Sequence, residues 1–236
     1  RLRECYRLVT SLAGSTRATC VFFSSFGVAY TLRITDIPAT TGHGEPIQRF
    51  FKLKDHERIV AAMSLDPRVA SKIASAHEGG APPSHAVAVT TDGYSLRFSL
   101  EPFLEPSTRA GRRFARPTTG AHVVGVAHTT GAEVIIAATA QARATLCAAE
   151  DINFLSGPGK GVILIKLLPG ADQVLGFIAS TGDRDLLTVE TNRGASQTVS
   201  TAKYGVTGRG GKGRQLLQRG QFTRVIPPPV TVPTLD

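Results

Sequence analysis

The sequence contains no tryptophan, one methionine and three cysteines in 236 residues, and aromatic residues make up 6% of it. Cys5, Cys20 and Cys147 are odd in number and widely separated, so they form neither a disulfide framework nor a CxxC-type zinc site. Cys20 and Cys147 lie in apolar, strand-like runs and read as buried thiols of a protein from a reducing cytoplasm. No apolar run approaches the ~18 residues of a membrane span, and neither a signal peptide nor a basic amphipathic helix is visible, so no membrane partner is expected. Acidic residues are missing from two long stretches. Between Pro106 and Ala132 there is none, against Arg109, Arg112, Arg113 and Arg116. From Thr191 to Leu235 there is again none, against seven Lys or Arg.

Catalytic patterns are equally scarce. The six histidines show no ligand spacing. Gly157-Pro158-Gly159-Lys160-Gly161 is not a phosphate-binding P-loop, because no Ser or Thr follows the lysine. Asp183-Arg184-Asp185 reads as a surface turn rather than a metal-binding carboxylate pair. With no Trp, and most Phe and Tyr in apolar runs, stacking on unpaired bases is not expected.

What is present is a foldable, basic chain. Hydrophobic residues make up 42% and charged residues 19%, with a net charge of +9 and a pI near 9.9. That balance favours a polyanionic partner. The most concentrated expression of it is Gly208-Arg209-Gly210-Gly211-Lys212-Gly213-Arg214, which holds four glycines and three cations in seven residues. Such a loop can bring backbone N–H groups and cations together around phosphate.

The stretch belongs to a repeat. Cys20–Phe23 and Val28–Leu32 are β-prone runs flanking Ser24-Ser25-Phe26-Gly27, which predicts a hairpin. Three similar pairs follow: 86–89 with 94–98, 134–137 with 144–146, and 186–189 with 197–199. Turn positions Gly27, Gly93, Gln141 and Gly194 precede Gly44, Gly111, Gly161 and Gly213 by 17, 18, 20 and 19 residues. Each of those glycines is followed by further strand-like segments, at 47–53 and 58–63, 123–126, 162–167 and 174–179, and 214–217 and 222–225. An Ala/Ser/Gly/Pro-rich insertion at 70–83 is expected as an exposed loop, and Leu8–Leu12 as one strand. Units of about 50 residues with four short strands predict an all-β, propeller-like array of stacked blades. The expected division is a preceding unit or linker (1–18), a β-domain (19–225) with blades near 19–68, 84–127, 131–180 and 184–225, and a Pro-rich extended tail (226–236).

The run Phe22–Arg33, followed by Asp36-Ile37-Pro38 and Gly44-Glu45-Pro46-Ile47, resembles a blade of the C-terminal domain of bacterial type IIA topoisomerase A subunits, those of gyrase and topoisomerase IV. Arg209-Gly210-Gly211-Lys212-Gly213 resembles the core of the box Gln-Arg-Arg-Gly-Gly-Lys-Gly of that family, and Gly159-Lys160-Gly161-Val162 its degenerate form. The resemblance spans roughly residues 19–225. It implies a β-pinwheel of four-stranded blades, four of them visible, whose basic rim binds and bends duplex DNA for strand passage. Its implied partners are double-stranded DNA, the topoisomerase core and the ATPase B subunit, in a bacterial cytoplasm at the nucleoid. ATP and Mg are implied for the whole enzyme, with no cofactor in this part. None of Tyr6, Tyr30, Tyr94 or Tyr204 follows an Arg, as the family's DNA-cleaving tyrosine does. Thr207 and Gly208 stand where the box has Gln and Arg, and the best match falls in the last repeat. By the resemblance, both departures fit a topoisomerase IV-like or otherwise divergent A subunit better than one with gyrase-type wrapping, and the choice between gyrase and topoisomerase IV activity stays open.

The candidate DNA-contacting residues are Arg209, Lys212, Arg214, Arg219, Lys203, Arg193, Lys160, Arg109, Arg112, Arg113 and Arg116. The loop glycines are Gly208, Gly210, Gly211, Gly213, Gly159, Gly161, Gly111 and Gly44. Arg33, Lys52, Lys54 and Arg97 are secondary, since strand-edge cations also serve solubility. The alternative from another class is a β-propeller interaction module whose basic rim binds an acidic protein.

Overall fold

The computed structural model describes residues 8–69 and 85–231. The 70–83 insertion, Cys5, Tyr6 and the last five residues lie outside that range. Sixteen strands are described, and they fall into four sequence units. Unit one contributes β1 (Thr19–Ser24), β2 (Val28–Arg33) and β3 (Ile59–Ser64). Unit two contributes β4 (His85–Thr90), β5 (Tyr94–Ser99), β6 (Arg112–Arg113) and β7 (Val123–Thr129). Unit three contributes β8 (Val134–Thr139), β9 (Arg143–Ala148), β10 (Phe154–Leu155), β11 (Val162–Ile163) and β12 (Val174–Ser180). Unit four contributes β13 (Leu187–Thr191), β14 (Ser196–Val199), β15 (Arg214–Gln215) and β16 (Phe222–Ile226).

Each unit opens with the expected hairpin, and one turn residue fixes its geometry. Gly27, Gly93, Ala142 and Gly194 have φ of 76°, 83°, 55° and 79°. Each donates its N–H to the carbonyl three residues back, at 3.1, 3.0, 3.1 and 2.9 Å. In the third unit the turn residue is therefore Ala142, one position beyond Gln141. An alanine here accepts a left-handed conformation that costs about 1–2 kcal/mol, and its burial inside the third core holds it there.

The sheets are built across unit boundaries. Within a unit the first strand pairs antiparallel with the second and with the last, giving β3-β1-β2, β7-β4-β5, β12-β8-β9 and β16-β13-β14. The outermost strand comes from the next unit: β6 joins β2, β11 joins β5, and β15 joins β9. Blade two also carries β10, parallel to β5. Units read as contiguous four-stranded blades are thus offset from the sheets by one strand. Blade four has three strands among the described residues. The last strands β3, β7, β12 and β16 touch one another in series and line the axis, which puts β6, β11 and β15 at the outer rim.

Alternation along the central strands explains how sheets this short become stable. Successive strand side chains point to opposite faces. Ala86 and Ala88 of β4 face blade one with Val21, Phe23 and Phe114, whereas Val87 and Val89 face blade three with Ile135 and Ala137. Ile136 and Ala138 then face blade four with Leu187 and Val189. Among the described residues there are three interblade cores rather than one, as expected for a stacked array.

The two ends of the array are closed differently. The outward face of blade one carries Cys20, Tyr30 and Leu32, and Phe51 covers them, its ring 5.0 Å from that of Tyr30. Residues 47–53, read from sequence as a strand, are consequently a 3-10 turn (Ile47–Arg49) and an irregular cap. The outward side of blade four is polar instead, with Thr188 and the ion pair of Glu190 with Arg224. The strand read at 162–167 shortens to two residues because Leu164 and Ile165 turn inward into the second core and donate their N–H groups to Gly93 O. The one read at 214–217 shortens likewise, with Leu216 donating its N–H to Ala142 O and packing with Leu217 against the third core. Leu8–Leu12 forms no strand, and residues 227–231 leave β16 without regular structure.

Candidate nucleic-acid interface

Each outer strand is preceded by an arch that crosses the rim. The arches are residues 108–111, 156–161 and 208–213. They are held at the near end by Ser107 N–H to Thr31 O (2.9 Å), Arg97 N–H to Asn153 O (3.0 Å) and Thr207 N–H to Leu146 O (2.8 Å). At the far end Gly111, Gly161 and Gly213 press against the second strand of the preceding blade. A Cβ at these positions would come within 2.7 Å of Ala29 O, 2.1 Å of Ser95 O and 2.6 Å of Ala144 O. The glycine in each arch is therefore set by close backbone approach, and the charged residues beside it are carried outward.

This arrangement relocates the sequence-predicted residues by one blade. The glycine-rich stretch of the fourth unit crowns blade three, the arch of unit three crowns blade two, and the arch of unit two crowns blade one. Arg109, Arg112, Arg113, Arg116, Lys160, Arg209, Lys212 and Arg214 are all exposed on these arches or the strand segments that follow them. Lys160 Nζ lies 3.8 Å from the centre of the Tyr94 ring, and the Arg214 guanidinium and Lys203 ammonium lie 5.4 and 5.5 Å from that of Tyr204. Several guanidiniums are oriented by backbone carbonyls: Arg109 by Gln48 and Arg49 (3.3 and 3.4 Å), Arg113 by Phe26 (3.2 Å), Arg112 by Pro102 and Arg209 by Asp151 (2.8 Å). A guanidinium has five donors, so these contacts fix direction while leaving N–H groups for a ligand.

Three predicted cations lie off the arches. Arg193 is on the β13–β14 turn, Lys203 on the turn after β14, and Arg219 on the turn before β16; all are exposed. Gly44 stands apart, since its loop meets no neighbouring strand and a Cβ there would enter open space. Arg97 is structural: its half-buried guanidinium donates to Ile152 O (2.7 Å) and Glu150 O (3.2 Å), and burial lowers its pKa.

Sequence reasoning misses Arg143. It follows the turn residue Ala142 and donates to Lys212 O (2.5 Å), Gly213 O (2.7 Å) and Gln215 Oε1 (2.7 Å). One guanidinium thus holds the far end of the most basic arch. Nothing at the level of spacing distinguishes this arginine from any other on a strand.

Cys20 and Cys147 are buried, and burial pushes both thiols up to about 11. Asp183 and Asp185 accept hydrogen bonds from Thr201 (2.7 Å) and Thr181 (2.7 and 2.9 Å) respectively. Among the described residues no group of three or more His, Cys, Asp or Glu is placed to hold a metal ion, and no helix is long and apolar enough to cross a membrane.

Comparison with known proteins agrees with this geometry. Residues 18–66 and 133–181, the first and third units, match the family described as DNA gyrase C-terminal domain, beta-propeller. The chain is 24% identical over 204 residues to the DNA gyrase A protein of Klebsiella oxytoca, and 28% identical over 213 residues to that of Aminobacterium colombiense. These alignments cover 86% and 90% of the chain but 22% and 24% of the relatives, so the chain spans about a quarter of their length. Its fold is that of the C-terminal domain of DNA topoisomerase IV, with a TM-score of 0.75 at 15% identity over 89% of this chain and 64% of that one. The E. coli ParC C-terminal domain superimposes with a TM-score of 0.68 at 18% identity over 90% and 82% of the two chains.

Proposed function

Given that this chain belongs to the family of C-terminal β-pinwheel domains of bacterial type IIA topoisomerase A subunits, we propose that it binds duplex DNA along its outer rim and bends it for presentation to the strand-passage machinery. The observation that carries this reading is the recurrence of a cation-bearing arch at the outermost strand of three successive blades. All three arches lie in sequence stretches without an acidic residue, the middle one in Ile152–Ala171. Phosphates repeat along a duplex, and a curved row of cations can follow them only if the duplex curves as well. The scarcity of free aromatics makes backbone contact the mode of recognition and leaves sequence preference to deformability.

In this reading DNA cleavage, ATP binding and Mg binding belong to the topoisomerase core and the ATPase B subunit, and the domain works in the bacterial cytoplasm on nucleoid DNA. The test is fluorescence anisotropy with a duplex of ~40 base pairs. Replacing Arg209, Lys212 and Arg214 together with Ala is expected to weaken binding by roughly tenfold or more while the melting temperature stays unchanged. Unaltered binding would move the track away from the 208–214 arch. Absence of duplex binding by the parent chain, with capture of an acidic protein instead, would replace the DNA reading by a protein-interaction one.

A further inference from the structure

One more backbone bond joins each arch to the unit before it, and in all three cases the donor is a cationic residue. Lys52 N–H donates to Arg109 O, Arg116 N–H to Gly159 O, and Lys166 N–H to Gly211 O, each at 2.8 Å. The acceptors are equivalent positions, two residues before Gly111, Gly161 and Gly213. The donors are related as well: Arg116 and Lys166 each stand five residues after the glycine of their own unit. Lys52 stands eight after Gly44, the extra length being taken up by the 3-10 turn that caps blade one. Two of the bridges extend into parallel pairings of Ala115 with Gly159 and Ile165 with Gly211.

A backbone N–H donor does not depend on its side chain, so the bridge itself gives no reason for lysine or arginine at these positions. All three side chains are nevertheless exposed, and none has a side-chain partner among the described residues. Across each bridge the next unit's arch carries a cation at the acceptor residue or directly after it: Arg109 itself, Lys160 after Gly159 and Lys212 after Gly211. At the first junction Lys52 and Arg109 line one cleft of about 480 Å³ together with Gln48, Phe51 and Leu53.

The geometry points to these three junctions as phosphate-binding sites, in which Lys52 with Arg109, Arg116 with Lys160, and Lys166 with Lys212 each take a backbone phosphate of a bound duplex. This rests on the duplex-binding reading and adds to it a location: the contacts sit between blades, one per junction, with one cation supplied by each of two units. Pairing matters because a phosphate between two cations held by a common backbone bridge is positioned as well as attracted. The junctions recur with the blades, so the blade repeat sets where along the duplex the contacts fall.

The experiment is anisotropy with a ~40-bp duplex across a salt series, on the parent chain, on Lys52→Gln/Arg116→Gln/Lys166→Gln, and on a control of equal charge loss, Arg17→Gln/Arg58→Gln/Arg184→Gln. All six side chains are exposed, and thermal melts verify that each variant is folded. The junction variant is expected to lose about ten- to a hundredfold in affinity, and its slope of log K against log salt should shrink by about three contacts. The control should stay within about threefold of the parent. A junction variant that binds like the parent, or a control that loses as much, overturns the junction assignment while leaving duplex binding intact. A parent chain that does not bind the duplex overturns the reading on which the assignment rests.

Discussion

Arg143 and Gly213 are joined by a hydrogen bond of 2.7 Å from the guanidinium to the carbonyl, across a sequence separation of 70 residues. The same side chain holds Lys212 O and Gln215 Oε1, so one residue of blade three fixes the far end of the arch that carries Arg209, Lys212 and Arg214. Removing it frees two carbonyls and an amide at the surface rather than in a core. Arg143→Ala is therefore expected to cost only about 1 kcal/mol of stability. Duplex affinity should fall about three- to tenfold, because a loosened arch must be ordered on binding. Lysine at this position cannot form the forked contact and should restore little. Anisotropy on Arg143→Ala and Arg143→Lys, alongside thermal melts, checks both statements.

Gly161 separates a structural glycine from a merely flexible one. With φ at 82°, its Cβ would come within 2.1 Å of Ser95 O, a backbone atom that cannot step aside. Gly161→Ala is expected to destabilise the chain by about 2–4 kcal/mol. Gly157, in the same arch, has neither a positive φ nor any atom within 4 Å of a Cβ. Gly157→Ala should change stability by less than about 0.5 kcal/mol. Urea unfolding of the two variants decides it, and equal effects would contradict the close approach of the arch to blade two.

Much of this architecture is legible in the sequence, and the divisions follow from range. Central strands such as His85–Thr90 announce themselves through apolar residues on both faces, and the hairpin turns through Gly27, Gly93 and Gly194. The exchange of outer strands is invisible, because Arg112-Arg113 and Arg214-Gln215 are too short for any periodicity and pair with strands of another unit. Phe50-Phe51 has strand-like composition yet becomes a cap, since what decides its state is the open face of blade one. Charge and glycine content reveal the arch cations. They do not reveal the hold of Arg143 on the 208–213 arch or the backbone bridge of Lys166 to Gly211, which are contacts 45 to 72 residues distant.

Glu133 predicts a pH dependence of stability. Burial pushes its pKa up, but hydrogen bonds from Thr129, Thr130 and the backbone of that turn outweigh burial and bring it down to about 2. A carboxylate with a depressed folded pKa stabilises above its unfolded value, and that contribution disappears as pH falls through the folded one. Stability should therefore decline between pH 4.5 and about 2 as this group protonates. Glu133→Gln should be less stable at pH 7 by about 1–3 kcal/mol, the cost of disrupting a buried charged network. It should also show a shallower decline in the acid range. Parallel melting curves of parent and variant from pH 7 to about 2 measure the difference.

The central claim is that a row of rim cations meets the phosphates of a duplex, and the salt dependence of duplex binding tests it most directly. A ~40-bp duplex titrated from about 50 to 200 mM salt should lose affinity by at least about a thousandfold if six or more phosphates are neutralised. The plot of log K against log salt should be linear, with a slope steeper than about −5 and nearly the same for unrelated sequences. An affinity that barely changes across that range, or one that depends on sequence while ignoring salt, would contradict the account.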